Sequence, residues 1–302
     1  MTASILHIGY PKTATKWFQE EFYSKLTDIY FLKRTDVFNR FVFTDVFSFS
    51  PDQFKGWLAP DSGSKRVVIC DEILVGGLDI GFGNGEFAKL MSERLHKVLP
   101  DSQVIVFIRN QHTALESAYS HYIMAGGTYS PSRFLGIKPM FNKPFMAYHL
   151  FNPKLFDYSK LIEHYIALFG KDKVHVFLYE DFAENPERFT AHFCSRLQLE
   201  FPENLSYKRV NMRYSWLALQ KQRFLNRFTL GNTPYKQYFL NIPCLYRYSR
   251  LITLAIDRHF SFPRFKFDRE VHKWIESRFR ESNQSLSQWV DSKRLRHWGY
   301  PL

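Results

Sequence analysis

The residues best equipped for chemistry stand together near the start of the chain, in Gly9-Tyr10-Pro11-Lys12-Thr13-Ala14-Thr15-Lys16-Trp17. A short apolar run at residues 5–8 precedes them and suits a buried strand. An amphipathic run at 17–22 follows and suits a helix. A strand, a small-residue loop and a helix start make an anion cradle, because unpaired backbone N–H groups and the helix dipole aim at one spot. Lys12 adds a full positive charge there, and Thr13 and Thr15 add hydroxyl donors. A nucleotide triphosphatase P-loop needs Gly-x4-Gly-Lys-Ser/Thr. Counted from Gly9, the chain instead has Ala14, Thr15 and Lys16, and its first lysine comes early, directly after Pro11.

Two further groups suit the same chemistry. Residues 104–108, Val-Ile-Val-Phe-Ile, form a continuous apolar run, as in a strand buried on both faces. Arg109 ends it, a helical pattern follows, and Ser117 lies about two helical turns on. A fork-shaped guanidinium with a hydroxyl suits a terminal phosphate, since open α/β sheets bind ligands at the C-terminal ends of their strands. Arg109 by itself reads equally as a strand-end salt bridge. The run at 66–70 ends in Asp71-Glu72, where a carboxylate is well placed as a general base. Glu72 is the first choice and Asp71 the second; a helix-start carboxylate or a salt bridge is the other reading.

The lysine loop resembles the 5′-phosphosulfate loop of sulfotransferases, Pro-Lys-Thr/Ser-Gly/Ala-Thr-Thr/Ser-Trp. Lys16 stands where that family has a hydroxyl, and it either meets phosphate or points outward. The strand-end Arg109 with Ser117 is similar to the family's 3′-phosphate clamp. Residues 174–182 resemble its strand ending in Tyr-Glu-Asp-Leu, Asn185-Pro186 fits its layout, and residues 210–215 are similar to a late segment near the nucleotide. The resemblance covers residues 5–215 and the C-terminus from 282 to 301. It implies the donor 3′-phosphoadenosine 5′-phosphosulfate (PAPS), the product 3′-phosphoadenosine 5′-phosphate, and no metal. It implies that Lys12 stabilises the bridging oxygen, with Thr13, Ala14, Thr15 and Lys16 around the 5′-phosphate. Trp17 and Tyr179 would flank the adenine, although both read equally as core aromatics. Arg109 and Ser117 would hold the 3′-phosphate, and Glu72 would take the acceptor proton.

Strand-like runs at 4–8, 66–70, 104–108 and 174–178 alternate with helical patterns, so the expected fold is α/β, a P-loop-like parallel sheet flanked by helices. No linker divides the 302 residues, which read as one domain: an α/β core at 1–215, a helical basic and aromatic elaboration at 216–281, and a C-terminal segment at 282–302 returning to the core. Loops at 76–85 and 126–150 are expected to shape the acceptor pocket. His7 reads as a satisfied core residue, and His121 as a packing or site-lining one. Cys70, Cys194 and Cys244 have neither metal-site nor disulfide-framework spacing and read as buried thiols.

The formal charge of +12 is uneven. From Leu205 onward there are 19 Lys or Arg against 6 Asp or Glu. Mixed with aromatics, these cations read as a solvated helical surface, as a docking face for an anionic glycan or membrane-linked acceptor, or as a nucleic-acid surface. No nucleic-acid module is recognisable, and no nucleic-acid partner is expected. The expected acceptor is a hydroxyl of a carbohydrate or glycolipid. The expected location is the cytoplasm, with peripheral contact at the inner face of the membrane through 216–281. Two rival functions remain open, a P-loop-type kinase and a non-catalytic anionic-glycan-binding module that keeps the PAPS cradle.

Overall fold

A computed structural model describes residues 3–76, 85–138, 151–207, 214–231, 236–260 and 262–302. Its centre is a five-stranded parallel sheet in the order β2-β3-β1-β4-β5. The strands are β1 (Ile5–His7), β2 (Ile29–Phe31), β3 (Arg66–Cys70), β4 (Gln103–Ile108) and β5 (Val174–Leu178). The helices before β5 are α1 (Thr15–Trp17), α2 (Arg34–Val37), α3 (Pro51–Ser62), α4 (Glu86–Val98), α5 (Gln111–Met124), α6 (Pro131–Phe134) and α7 (Tyr158–Phe169). After it come α8 (Tyr179–Glu184), α9 (Pro186–Leu197), α10 (Trp216–Leu225), α11 (Leu245–His259), α12 (Arg269–Ser285) and α13 (Ser292–His297). The fold is α/β, as the alternation of apolar strands and helical patterns predicts. Strand β2 was not legible, since Asp28-Ile29-Tyr30-Phe31 carries only three apolar residues beside a charge.

Both faces of the sheet are covered, and side chains alternate between them with the two-residue period of a strand. Leu6, Val104, Val106 and Ile108 enter the larger core, with α4, α5, α7 and α12 packed over it. Ile5, Ile105 and Phe107 face the other way, into a smaller core roofed by Phe18, Phe22 and the α9 residues Phe189 and Phe193. Because β1 lies between β3 and β4, the chain winds first to one side of β1 and then to the other. The C-terminal end of β1 is therefore the switch point where such sheets open a crevice. The lysine loop, Asp71-Glu72 and Arg109 leave three neighbouring strands at that edge.

His7 sits fully buried in the smaller core, stacked on Phe107 and edge-on to Phe18. Its Nδ1 is 3.1 Å from the Tyr23 hydroxyl, but its Nε2 has no hydrogen-bond partner, so it is only half satisfied. Burial lowers its pKa to about 3. Its neutral form is thus favoured by folding, and that contribution is lost as pH falls from about 6.5 towards the folded value. Cys70 and Cys194 are buried, whereas Cys244 is exposed at the start of α11 in a left-handed backbone conformation. Residues 77–84, 139–150 and 208–213, which hold much of both expected pocket loops and the late segment, lie outside the described residues. Imidazole NMR signals of His7 are expected to stay those of a neutral ring from pH 8 to about 5; a titration midpoint near 6.5 would contradict its burial.

Candidate active site

The loop after β1 is held by backbone pairing that outlasts the strand. The Ile8 amide donates to the Ile105 carbonyl at 3.0 Å, and the Tyr10 amide to the Phe107 carbonyl at 3.3 Å. The chain then turns sharply, with Lys12 at φ 70° and Ala14 at φ 67°. Each non-glycine residue in this left-handed region costs about 1–2 kcal/mol, so neighbours must hold the turn in place. Thr13 Oγ1 donates to the Tyr10 carbonyl, and the Trp17 and Phe18 amides donate to the Ala14 carbonyl at 2.8 and 3.2 Å. Arg109 supplies the strongest tie, with Nη1 donating to the Lys12 carbonyl at 2.9 Å.

Arg109 is itself fixed on several sides. Its Nε donates to Thr113 Oγ1 at 2.9 Å, its guanidinium lies 4.6 Å over the Tyr179 ring, and its carbonyl accepts from the Tyr158 hydroxyl at 2.6 Å. It is buried, and its positive charge acts on Glu180, opposing the rise that burial gives that carboxylate's pKa. Ser117 lies half-buried on α5, two turns beyond.

At the mouth of the same crevice, Lys12 Nζ lies 3.3 Å from His121 Nδ1. Glu72 shares their electrostatic field. Burial raises its pKa, the positive charge of Lys12 opposes that rise, and Asp71 reinforces it. Asp71 has a different job. Fully buried, it accepts from the Ile73 amide at 2.9 Å and from Gln19 at 3.3 Å, and pairs with Arg34 at 3.2 Å. Those contacts spend its oxygens on capping the turn after β3.

Other expected residues are less central. Lys16 is exposed and pairs with Glu20 at 3.4 Å, on the solvent side of the helical run. Trp17 donates from Nε1 to the Ser206 carbonyl at 2.7 Å and is stacked by Tyr207 at 5.5 Å, so one of its faces is already covered. Thr15 is buried and its hydroxyl has no partner. Gly9 explains that crowding: a Cβ there would lie 3.1 Å from each of His7 Nε2, Thr13 Oγ1 and Thr15 Oγ1.

Sequence reasoning missed the supports Gln19, Arg34, Thr113 and Tyr158. Thr113, four residues beyond Arg109 on a helix start, carried a local signal; Tyr158 is separated by the whole α5 to α7 excursion and carried none. Glu180 is a further support, accepting from the Asn110 amide at 2.9 Å and from the Tyr300 hydroxyl at 3.0 Å. Asp181 binds Arg294 and accepts from Trp298 Nε1. The C-terminal segment thereby buttresses the turns after β4 and β5.

Residues 89–203 match the family model described as the sulfotransferase family. This match takes in Arg109, Ser117 and Tyr179 and leaves out the Lys12 loop and Glu72. Among solved structures, a sulfotransferase from Alicyclobacillus acidocaldarius aligns at 18% identity and a TM-score of 0.48, covering 70% of this chain and 87% of that one. The sulfotransferase domain from the curacin biosynthetic pathway aligns at 11% identity and a TM-score of 0.45, covering 95% of this chain and 97% of that one. No curated protein matches the sequence. Among the described residues, no three His, Cys, Asp or Glu side chains are grouped to hold a metal ion.

Gly9→Ala is expected to destabilise the fold by about 1–3 kcal/mol, because its methyl group would press on three polar atoms. Gly56→Ala, in α3 with nothing within 4 Å of the new Cβ, is expected to stabilise by about 0.5–1 kcal/mol. Melting temperatures moving in opposite directions check the pair.

Proposed function

We propose that the protein transfers a sulfuryl group from PAPS to a hydroxyl of a carbohydrate or glycolipid, by in-line displacement. The observation that carries this reading is the meeting of Lys12, Glu72 and Arg109 at the C-terminal ends of three adjacent parallel strands. The residues present fit the donor. The loop turn is held open by two left-handed residues, the buried Thr15 hydroxyl lacks a partner, and a positioned guanidinium stands beside the loop. Thr13, Ala14 and Thr15 would bind the 5′-phosphate through loop amides and hydroxyls. Arg109 and Ser117 would bind the 3′-phosphate, with Tyr179 orienting the guanidinium from one face.

In the transfer, the acceptor oxygen bonds to sulfur as sulfur's bond to the 5′-phosphate oxygen breaks. Glu72 accepts the hydroxyl proton, and its elevated pKa makes it a better proton acceptor than an ordinary glutamate. Lys12 places its positive charge beside the departing oxygen, where charge develops. Trp17 would border the adenine from within an aromatic cluster with Phe18, Phe22, Phe182 and Tyr207. Lys16, turned toward Glu20, takes no part. The preference for a glycan or glycolipid acceptor rests on the excess of Lys and Arg after Leu205.

Melting in the presence of 3′-phosphoadenosine 5′-phosphate, beside ADP and ATP with Mg²⁺, tests the reading, because a ligand of the folded state raises the melting temperature by mass action. A metal-independent rise specific to the 3′-phosphate is expected; a rise with ATP and Mg²⁺ alone points to a kinase. Glu72→Gln is expected to lower kcat by roughly 10²–10⁴-fold. It should also abolish the acid limb of the pH–rate profile, since the base works only above its raised pKa. Lys16→Ala is expected to leave affinity for 3′-phosphoadenosine 5′-phosphate unchanged, as measured by titration calorimetry; a large loss would place this lysine on the phosphate.

A further inference from the structure

Helix α11 is amphipathic in the reverse sense. Ser249, Thr253 and Asp257, spaced one turn apart, form its buried stripe. Tyr248, Leu251, Ile252 and Ala255 lie away from that stripe on the helical wheel and face outward. Leu251 is 56% exposed and Tyr248 60%. A helix packing on a water-soluble core places these two sets the other way round.

The inward polar stripe is fully engaged. Gln222 of α10 donates to Ser249 Oγ at 3.2 Å and accepts from Thr253 Oγ1 at 3.1 Å. The Ser215 amide donates to Asp257 at 3.2 Å, and Arg264 pairs with the same carboxylate at 3.6 Å. Gln222 also reaches Asn226, whose amide donates to the Ile123 and Gly127 carbonyls at 2.8 Å. This network locks α11 in its reversed orientation, so the outward apolar stripe is a fixed feature of the fold.

The surroundings select what meets that stripe. Trp216, Phe224 and Phe239 add further exposed aromatic surface from α10 and the segment between the helices. Arg247 and Arg250 are exposed along the border of the stripe. Residues 216–260 contain seven Lys or Arg and one acid, Asp257, which is buried. Aromatic and aliphatic side chains bordered by cations suit the interface of a bilayer with anionic headgroups. A second copy of the same face would set cation against cation. No described helix is long and apolar enough to cross a membrane, so α11 would lie in the plane of the surface.

We propose that α11, with the exposed aromatics of α10 and residues 236–242, docks the protein on an anionic phospholipid bilayer. The inference stands apart from the sulfuryl-transfer reading, because it is read without donor or acceptor. The test is co-sedimentation of the full chain with vesicles of phosphatidylcholine alone or mixed with phosphatidylglycerol. Binding is expected on the mixed vesicles, weakening as salt rises through the range where the Debye length falls from about 10 Å to 3 Å. The doubly substituted Leu251→Glu, Ile252→Glu protein is expected to lose more than about tenfold in partition. Arg247→Gln with Arg250→Gln should lose the preference for phosphatidylglycerol. All four positions are exposed, and unchanged melting temperatures would establish that the variants fold. No binding to the mixed vesicles, or equal binding by the glutamate variant, overturns the proposal. A wild-type dimer that the glutamate variant converts to monomer, without vesicle binding, overturns it in favour of contact between copies.

Discussion

Arg109 stands at the end of β4 with its guanidinium against the Lys12 carbonyl, its Nε on Thr113 and its plane over Tyr179. One side chain thus joins the turns after β1, β4 and β5. The contact matters because the lysine loop contains two residues in a backbone region that non-glycine residues avoid. A charge-assisted hydrogen bond to the carbonyl of the first of them is a strong restraint in a buried place. The same turn carries the Lys12 side chain toward His121 and the field of Glu72.

The layers around this contact are arranged to keep it rigid. Tyr158 from α7 holds the Arg109 carbonyl, Glu180 holds the next amide, and Tyr300 near the chain end holds Glu180. Asn110 Nδ2 donates to the Trp298 carbonyl at 2.8 Å, while Gln111 and Asn283 exchange amide hydrogen bonds at 2.7 and 3.0 Å. Buried polar groups are costly when unpaired, so this network is specific: each member has one geometry that satisfies it. The open edge of the sheet is in this way braced by segments far apart along the chain.

The two carboxylates after β3 show how position divides similar groups into different roles. Asp71 is spent on the Ile73 amide, Gln19 and Arg34. Glu72, one residue on, emerges half-buried in the field of the Lys12 charge. The place of the two carboxylates at a strand end was legible. The difference in their surroundings was not, because Arg34 and Gln19 come from segments whose packing no local pattern reveals. The same holds for Cys244, which reads as a buried thiol by residue type but lies exposed at the start of α11.

The sequence by itself determined the strands that are apolar throughout and the residues that follow each of them. It therefore determined that a lysine loop, a carboxylate pair and an arginine occupy strand ends, since alternation and strand-to-helix order are local properties of the chain. It also determined that the charge gathers after Leu205. Only the tertiary structure decided the strand order that makes those ends neighbours, the turning of Lys16 toward Glu20, and the covering of Trp17 by Tyr207. It alone decided that α11 turns its serine, threonine and aspartate inward. Periodicity marks which residues share a helix face. Which face is buried depends on hydrogen-bond partners such as Gln222 and Ser215, more than twenty residues away in sequence.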